Sequence, residues 1–281
     1  MILEWLVNPF TYGFMQRGFV AAIIVGILCA VIGCYVVLRG MAFMGDAMAH
    51  AILPGVAIAY LLKGNLLIGA LVAAIIVALG ISLFSKNGTI KEDTAIGIFF
   101  AAALSLGVAL ISGIRSYAVD LSHILFGNVL GVSIPDLWMT GILALIVIGT
   151  IIVLYKPFMV ISFDPVLAAT LRMPANLLRS LLLVLIALTV VVSLQTVGVG
   201  LVAAMLVTPA ATAYLLARRL SRMLIISAAI GAISSVIGLY LSFYLNIASG
   251  AAIVLCATLL FVIAYLFAPE KGILTHRKQG V

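Results

Sequence analysis

A chain of 281 residues that is 66% hydrophobic and only 8% charged keeps no polar stretch long enough to fold outside a membrane. Soluble domains carry about 25% charged residues. This composition, with a mean hydropathy of +1.40, therefore excludes the soluble classes and predicts an all-α, polytopic membrane protein. The net charge of +7 then reports Lys and Arg gathered in cytoplasmic loops, with no nucleic acid as partner.

Residues 1–17 form an amphipathic lead-in whose Trp5, Phe10 and Tyr12 suit the membrane interface. Glu4 stands where a signal peptide needs positive charge, so these residues are expected in the mature protein. Apolar runs long enough to span follow at 19–38, 66–84, 95–114 and 137–155, with a shorter span at 47–62. Later spans are expected at 181–194, 199–217, 223–245 and 248–267. That makes about nine, or eight if one segment is re-entrant. Residues 121–132 are too short to cross and read as a short re-entrant helix. With nine spans and the N-terminus outside, twelve of the fifteen Lys and Arg fall on the cytoplasmic side, including the basic tail 269–281.

At the start of the second span, Asp46 and His50 lie four residues apart. On a helix both then occupy one face, with Cβ atoms about 6 Å apart, while Met44 and Met48 occupy the opposite face. A carboxylate inside a bilayer costs about 2.5–3.5 kcal/mol and is rarely kept without a partner or a task. Pro54 has no N–H to offer the His50 carbonyl, so the helix is expected to bend there and free that oxygen. Oxygen with imidazole suits Mn, Fe or Zn better than Cu(I). The plainer alternative is that Asp46 and His50 pair with each other or cap a helix entering from a short loop.

A second cluster holds Asp120 and His123, three residues apart at the head of the short helix. Capping and mouth-lining compete there with direct ligation. Cys29, Cys34 and Cys256 sit in apolar runs without ligand spacing and read as buried hydrophobes. Asp164 is suited to cap a short helix begun by Pro165 and stopped by Pro174, a natural docking knob within 157–179. Thr208-Pro209 should kink its span, either at a substrate path or simply in packing. Gly26, Gly33, Gly198, Gly200 and Gly231 suit close helix contact. No Ser-His-Asp set, HExxH or P-loop occurs, so the chain is not expected to be an enzyme and cannot itself hold ATP in a P-loop.

Taken together, these motifs resemble the permease subunits of the bacterial manganese, zinc and iron ABC importers, the ABC-3 family. The resemblance runs nearly end to end, through 45–55, 93–97, 120–128, 162–165 and 208–213. It implies one transmembrane permease domain over 1–281, a homodimer in a bacterial plasma membrane, and two copies of a separate cytoplasmic ATPase. An extracellular solute-binding protein would deliver the metal. The family's coupling segment maps onto Asp164, Pro165, Leu167, Ala168, Leu171, Arg172 and Met173, and its metal site onto Asp46 and His50. No cofactor is expected to stay bound; the metal is cargo. Pro54 in the run 50–55 resembles the manganese and iron members more than the zinc ones, which makes manganese the expected ion. A gradient-driven secondary transporter is the alternative from another class.

Overall fold

Residues 8–86, 90–112 and 129–268 are described by a computed structural model, and every regular element among them is helical. Hydrocarbon offers no partner to a backbone N–H or C=O, so sequence this apolar must satisfy its own hydrogen bonds within each segment. After a 3-10 turn at Asn8–Thr11 come α1 (Gly13–Leu38), α2 (Met44–Ala51), α3 (Leu53–Leu61), α4 (Leu66–Ser85) and α5 (Glu92–Ser112). A second such turn at Val129–Gly131 precedes α6 (Ile134–Val153), α7 (Tyr155–Phe163) and α8 (Pro165–Thr170). The chain continues through α9 (Ala175–Val197), α10 (Val199–Leu216), α11 (Leu220–Leu245) and α12 (Ser249–Phe267).

Among the described residues, eight helical units are long and apolar enough to cross a membrane, with α2 and α3 together forming one. The segment expected as a further span, α10, has a shorter apolar run at Val202–Leu216. The all-helical class holds, and so does the expectation of eight or nine spans. Most of the expected re-entrant helix, with Asp120 and His123, lies outside the described residues, as does the tail 269–281.

The hub is α1, which packs against α6, α9, α10 and α11 and is buried on most sides from Met15 to Val36. Neighbours approach it where side chains are missing. Gly26 of α1 and Gly231 of α11 meet so closely that a Cβ on either would overlap the other's carbonyl oxygen. Gly33 lies against the Leu206 carbonyl of α10 in the same way. Polar side chains tie these contacts: the Ser227 hydroxyl donates to the Ala30 carbonyl at 2.9 Å, and the Cys29 thiol and Ser193 hydroxyl share a hydrogen bond at 3.0 Å. In hydrocarbon, where apolar burial gives helices little reason to associate, such close packing and hydrogen bonding take over.

Pro209 lies inside α10 without ending it. Met205, Leu206, Ala210 and Ala213 around it are buried, and the Thr212 hydroxyl donates to the Thr208 carbonyl at 2.7 Å. Part of this stretch packs against Gly33 of α1. Gly55 of α3 and Gly69 of α4 also meet backbone to backbone. Asn65 caps α4 by accepting from the Leu67 N–H at 2.9 Å.

Candidate functional site

The chain reaches α2 through a tight turn at residues 40–43. Gly40 adopts φ +69° there, a backbone setting that a side chain would strain. Helical spacing then divides α2. Met44, Ala47, Met48 and Ala51 are fully buried or nearly so, and Gly45 fits against Ala203 and Leu206 of α10. The opposite stripe carries Phe43, Asp46 and His50, three and seven residues along, and it stays open to the outside of the single chain. His50 and Asp46 keep 28% and 36% of their side-chain surface exposed, and Phe43 keeps 51%.

His50 Nδ1 lies 3.0 Å from the backbone carbonyl of Asp46. A carbonyl oxygen only accepts, so Nδ1 carries the hydrogen and the lone pair of the neutral ring sits on Nε2. The Asp46 carboxylate is 3.7 Å from Nδ1, beyond hydrogen-bond reach. The two side chains are therefore neighbours on one face, but their ligating atoms are not consumed by each other. The ring of Phe100, from α5, stands edge-on to both His50 and Phe43 with centroids 5.8 Å apart in each case. Phe100 is a wall of this site that its sequence context, one phenylalanine among many apolar residues, did not mark.

Pro54 falls in the first turn of α3, and the helix breaks at Ile52 between α2 and α3. The His50 carbonyl is engaged here by the Ile52 N–H, so it is not the free oxygen expected from the sequence. Among the described residues no three His, Cys, Asp or Glu side chains gather closely enough to hold a metal ion. Cys29, Cys34 and Cys256 are free, buried thiols in other helices. One chain thus presents one carboxylate and one imidazole on an open face.

At the end of α1 nearer this turn lies a charged cluster absent from the sequence reading. Glu92, the first residue of α5, accepts from Arg39 Nη2 and from Arg179 Nε, each at 2.9 Å. Arg179 also donates to the Ser85 carbonyl at 3.3 Å. Arg39 and Glu92 are only 12% and 13% exposed. Burial draws the Arg39 guanidinium below its usual range, the Glu92 charge opposes that, and Arg179 adds to it.

The segment expected to dock a partner forms α8. Asp164 caps it, accepting from the N–H groups of Val166 and Leu167 at 3.0 and 2.9 Å. Pro165 opens the helix, as its fixed φ favours. Ala168 is fully buried and seats α8 against its neighbours, whereas Leu167 and Leu171 are 44% and 55% exposed. Arg172 adopts φ +52° as the chain turns towards Met173 and α9.

Comparison with known proteins extends this picture. The model of the ABC 3 transport family matches residues 11–268. The manganese transport system membrane protein MntC of Listeria innocua is 51% identical over 281 residues, spanning all of this chain and 99% of that one. The manganese import system permease protein ScaB of Streptococcus parasanguinis is 43% identical over 96% of both chains. Among solved structures, PsaBC from Streptococcus pneumoniae in complex with Fab superposes with a TM-score of 0.86 at 41% identity, covering 99% of this chain and all of that one.

Proposed function

The chain belongs to the ABC 3 transport family, and we propose that it is the membrane-spanning permease of an ATP-driven manganese importer. It lies in a bacterial plasma membrane with its N-terminus outside and its C-terminus in the cytoplasm. Two copies form the conduit, a separate cytoplasmic ATPase drives it, and an extracellular solute-binding protein supplies the ion. Relatives named for manganese transport at 43–51% identity over nearly the whole chain support the substrate.

The open face of α2 carries the reading. Its Asp46 carboxylate and the Nε2 of His50 are both uncommitted, yet one chain cannot complete a coordination shell with them. A twofold axis beside α2 brings together two carboxylates and two imidazoles. That set holds a divalent ion and leaves positions for water. Manganese stands lowest in the affinity order of divalent first-row metals. The conduit therefore gains from a site weak enough to release its ion inward, and selects by access and geometry. The exposed Leu167 and Leu171, held out by the Asp164 cap, supply the apolar knob that an ATPase surface receives.

The test is manganese accumulation, with and without competing zinc, in cells expressing the wild-type chain or His50→Ala at matched levels. Loss of uptake in the variant, with the dimer and its ATPase still associated, is the expected result. Unchanged uptake would remove Asp46 and His50 from the ion path. Wild-type uptake that favours zinc would overturn the choice of metal.

A further inference from the structure

The Glu92 cluster joins elements far apart in sequence. Its Arg39 partner is 53 residues away, and its Arg179 partner 87. Arg179 lies in the second turn of α9, the helix that emerges from the docking segment α8. Arg39 is the residue that closes α1, directly before the turn into α2. Glu92 itself begins α5, and eight residues further along that helix Phe100 stands against His50. One carboxylate therefore touches the foot of the ATPase-facing segment and has two routes to the ion face. One runs through Arg39 into α2, and the other along α5 to Phe100.

The same region holds polar groups that this arrangement does not use. Among the described residues, the Tyr35 hydroxyl, Arg39 Nη1 and the Ser162 hydroxyl are buried without a hydrogen-bond partner. Tyr35 stacks edge-on against Phe158 of α7 at 5.9 Å. Arg39 lies one turn beyond Tyr35, and Ser162 one turn beyond Phe158. Tyr35 thus belongs to the contact between α1 and α7, the helix that leads through Asp164 into α8, and Arg39 and Ser162 each follow one turn on along their own helix. Buried polar groups favour arrangements that satisfy them. A shift of α7–α8 against α1 has spare donors and acceptors to engage.

We infer that Glu92 is a positioning residue for transport. It couples movement of the α7–α8–α9 segment, driven by the ATPase, to the helix that carries Asp46 and His50. This inference rests on the importer reading above. Its ion pairs with Arg39 and Arg179 hold α1, α5 and α9 in register, so displacement at one foot moves the others instead of dissipating in the loops.

The test uses the permease–ATPase complex purified from its host, reconstituted in liposomes with the binding protein of the same system. Manganese delivered and ATP hydrolysed are both counted. Glu92→Gln keeps the shape but removes the charge that holds two arginines together. The expected result is a complex that still hydrolyses ATP while manganese moved per ATP falls about fivefold or more. A merely structural residue would lower both counts together and leave their ratio unchanged, which overturns the inference. Arg179→Lys keeps the charge but cannot reach Glu92 and the Ser85 carbonyl with one planar fork, and it should lower the same ratio. Failure of both variants to assemble would assign Glu92 to folding and also overturn the coupling role. Wild-type complex that moves no manganese with ATP would instead overturn the importer reading.

Discussion

His50 donates through Nδ1 to the carbonyl of Asp46 one turn back, at 3.0 Å. The bond is to the backbone, so it survives changes in the Asp46 side chain. It also fixes which nitrogen faces outward, as ligating histidines commonly require of their surroundings.

Replacing Asp46 by Asn therefore separates chemistry from structure. The imidazole keeps its anchor, and the side chain is more than a third exposed, so stability should stay within about 0.5 kcal/mol of wild type. Manganese uptake should nevertheless fall at least about tenfold if Asp46 ligates the ion as proposed, because few such groups are present. Thermal unfolding of the purified complex beside metal uptake in cells measures both. A large loss of stability would show that Asp46 serves the fold.

Gly33→Ala tests the packing of the hub. The added methyl would overlap the Leu206 carbonyl, which is backbone and cannot turn aside. A loss of about 1–3 kcal/mol is expected, read as an earlier thermal transition in detergent. Gly141→Ala is the matched control, because nothing lies within 4 Å of its new methyl. That change should be neutral or stabilising by up to about 1 kcal/mol.

Leu171→Asp introduces a charge on the exposed knob beyond α8. Leu171 is 55% exposed, so the permease should fold and dimerise normally. Recovery of the ATPase with the tagged permease should drop sharply. Asp164→Ala should act more mildly, through loss of a cap worth about 1 kcal/mol. Co-purification at two salt concentrations distinguishes the two, because an apolar contact responds weakly to screening.

Thiol labelling checks the cysteines. Cys29 and Cys34 are fully buried and Cys256 is 7% exposed. A membrane-permeable alkylating reagent should leave Cys29 and Cys34 unmodified in the folded protein, and mass spectrometry should find adducts only after denaturation. Transport should be insensitive to the reagent. Rapid loss of manganese uptake on labelling would place a thiol in the ion path.

The helices were legible because apolar runs of membrane length admit few other structures. The Asp46 and His50 face was legible because a spacing of four has one meaning on a helix. Glu92 was not, since its partners lie 53 and 87 residues away and nothing local marks it. Lys91 and Asp93 flank it, so its charge does not stand out locally. The start of α6 does carry a local signal: Ser133 and Asp136 cap each other reciprocally, with Pro135 in the first turn, so the helix begins at Ile134, three residues before the apolar run 137–155. At Pro54 the sequence pointed to the right place for a helix break, but the His50 carbonyl is met by the Ile52 N–H and is not free.

The exposure of Asp46 also bears on biogenesis. In the proposed dimer, a single chain surrounded by lipid would turn a carboxylate towards hydrocarbon, and separating the pair would incur that cost twice. An orphaned copy is thereby distinguishable from an assembled one by solvation alone, and membrane proteases could remove surplus subunits on that basis.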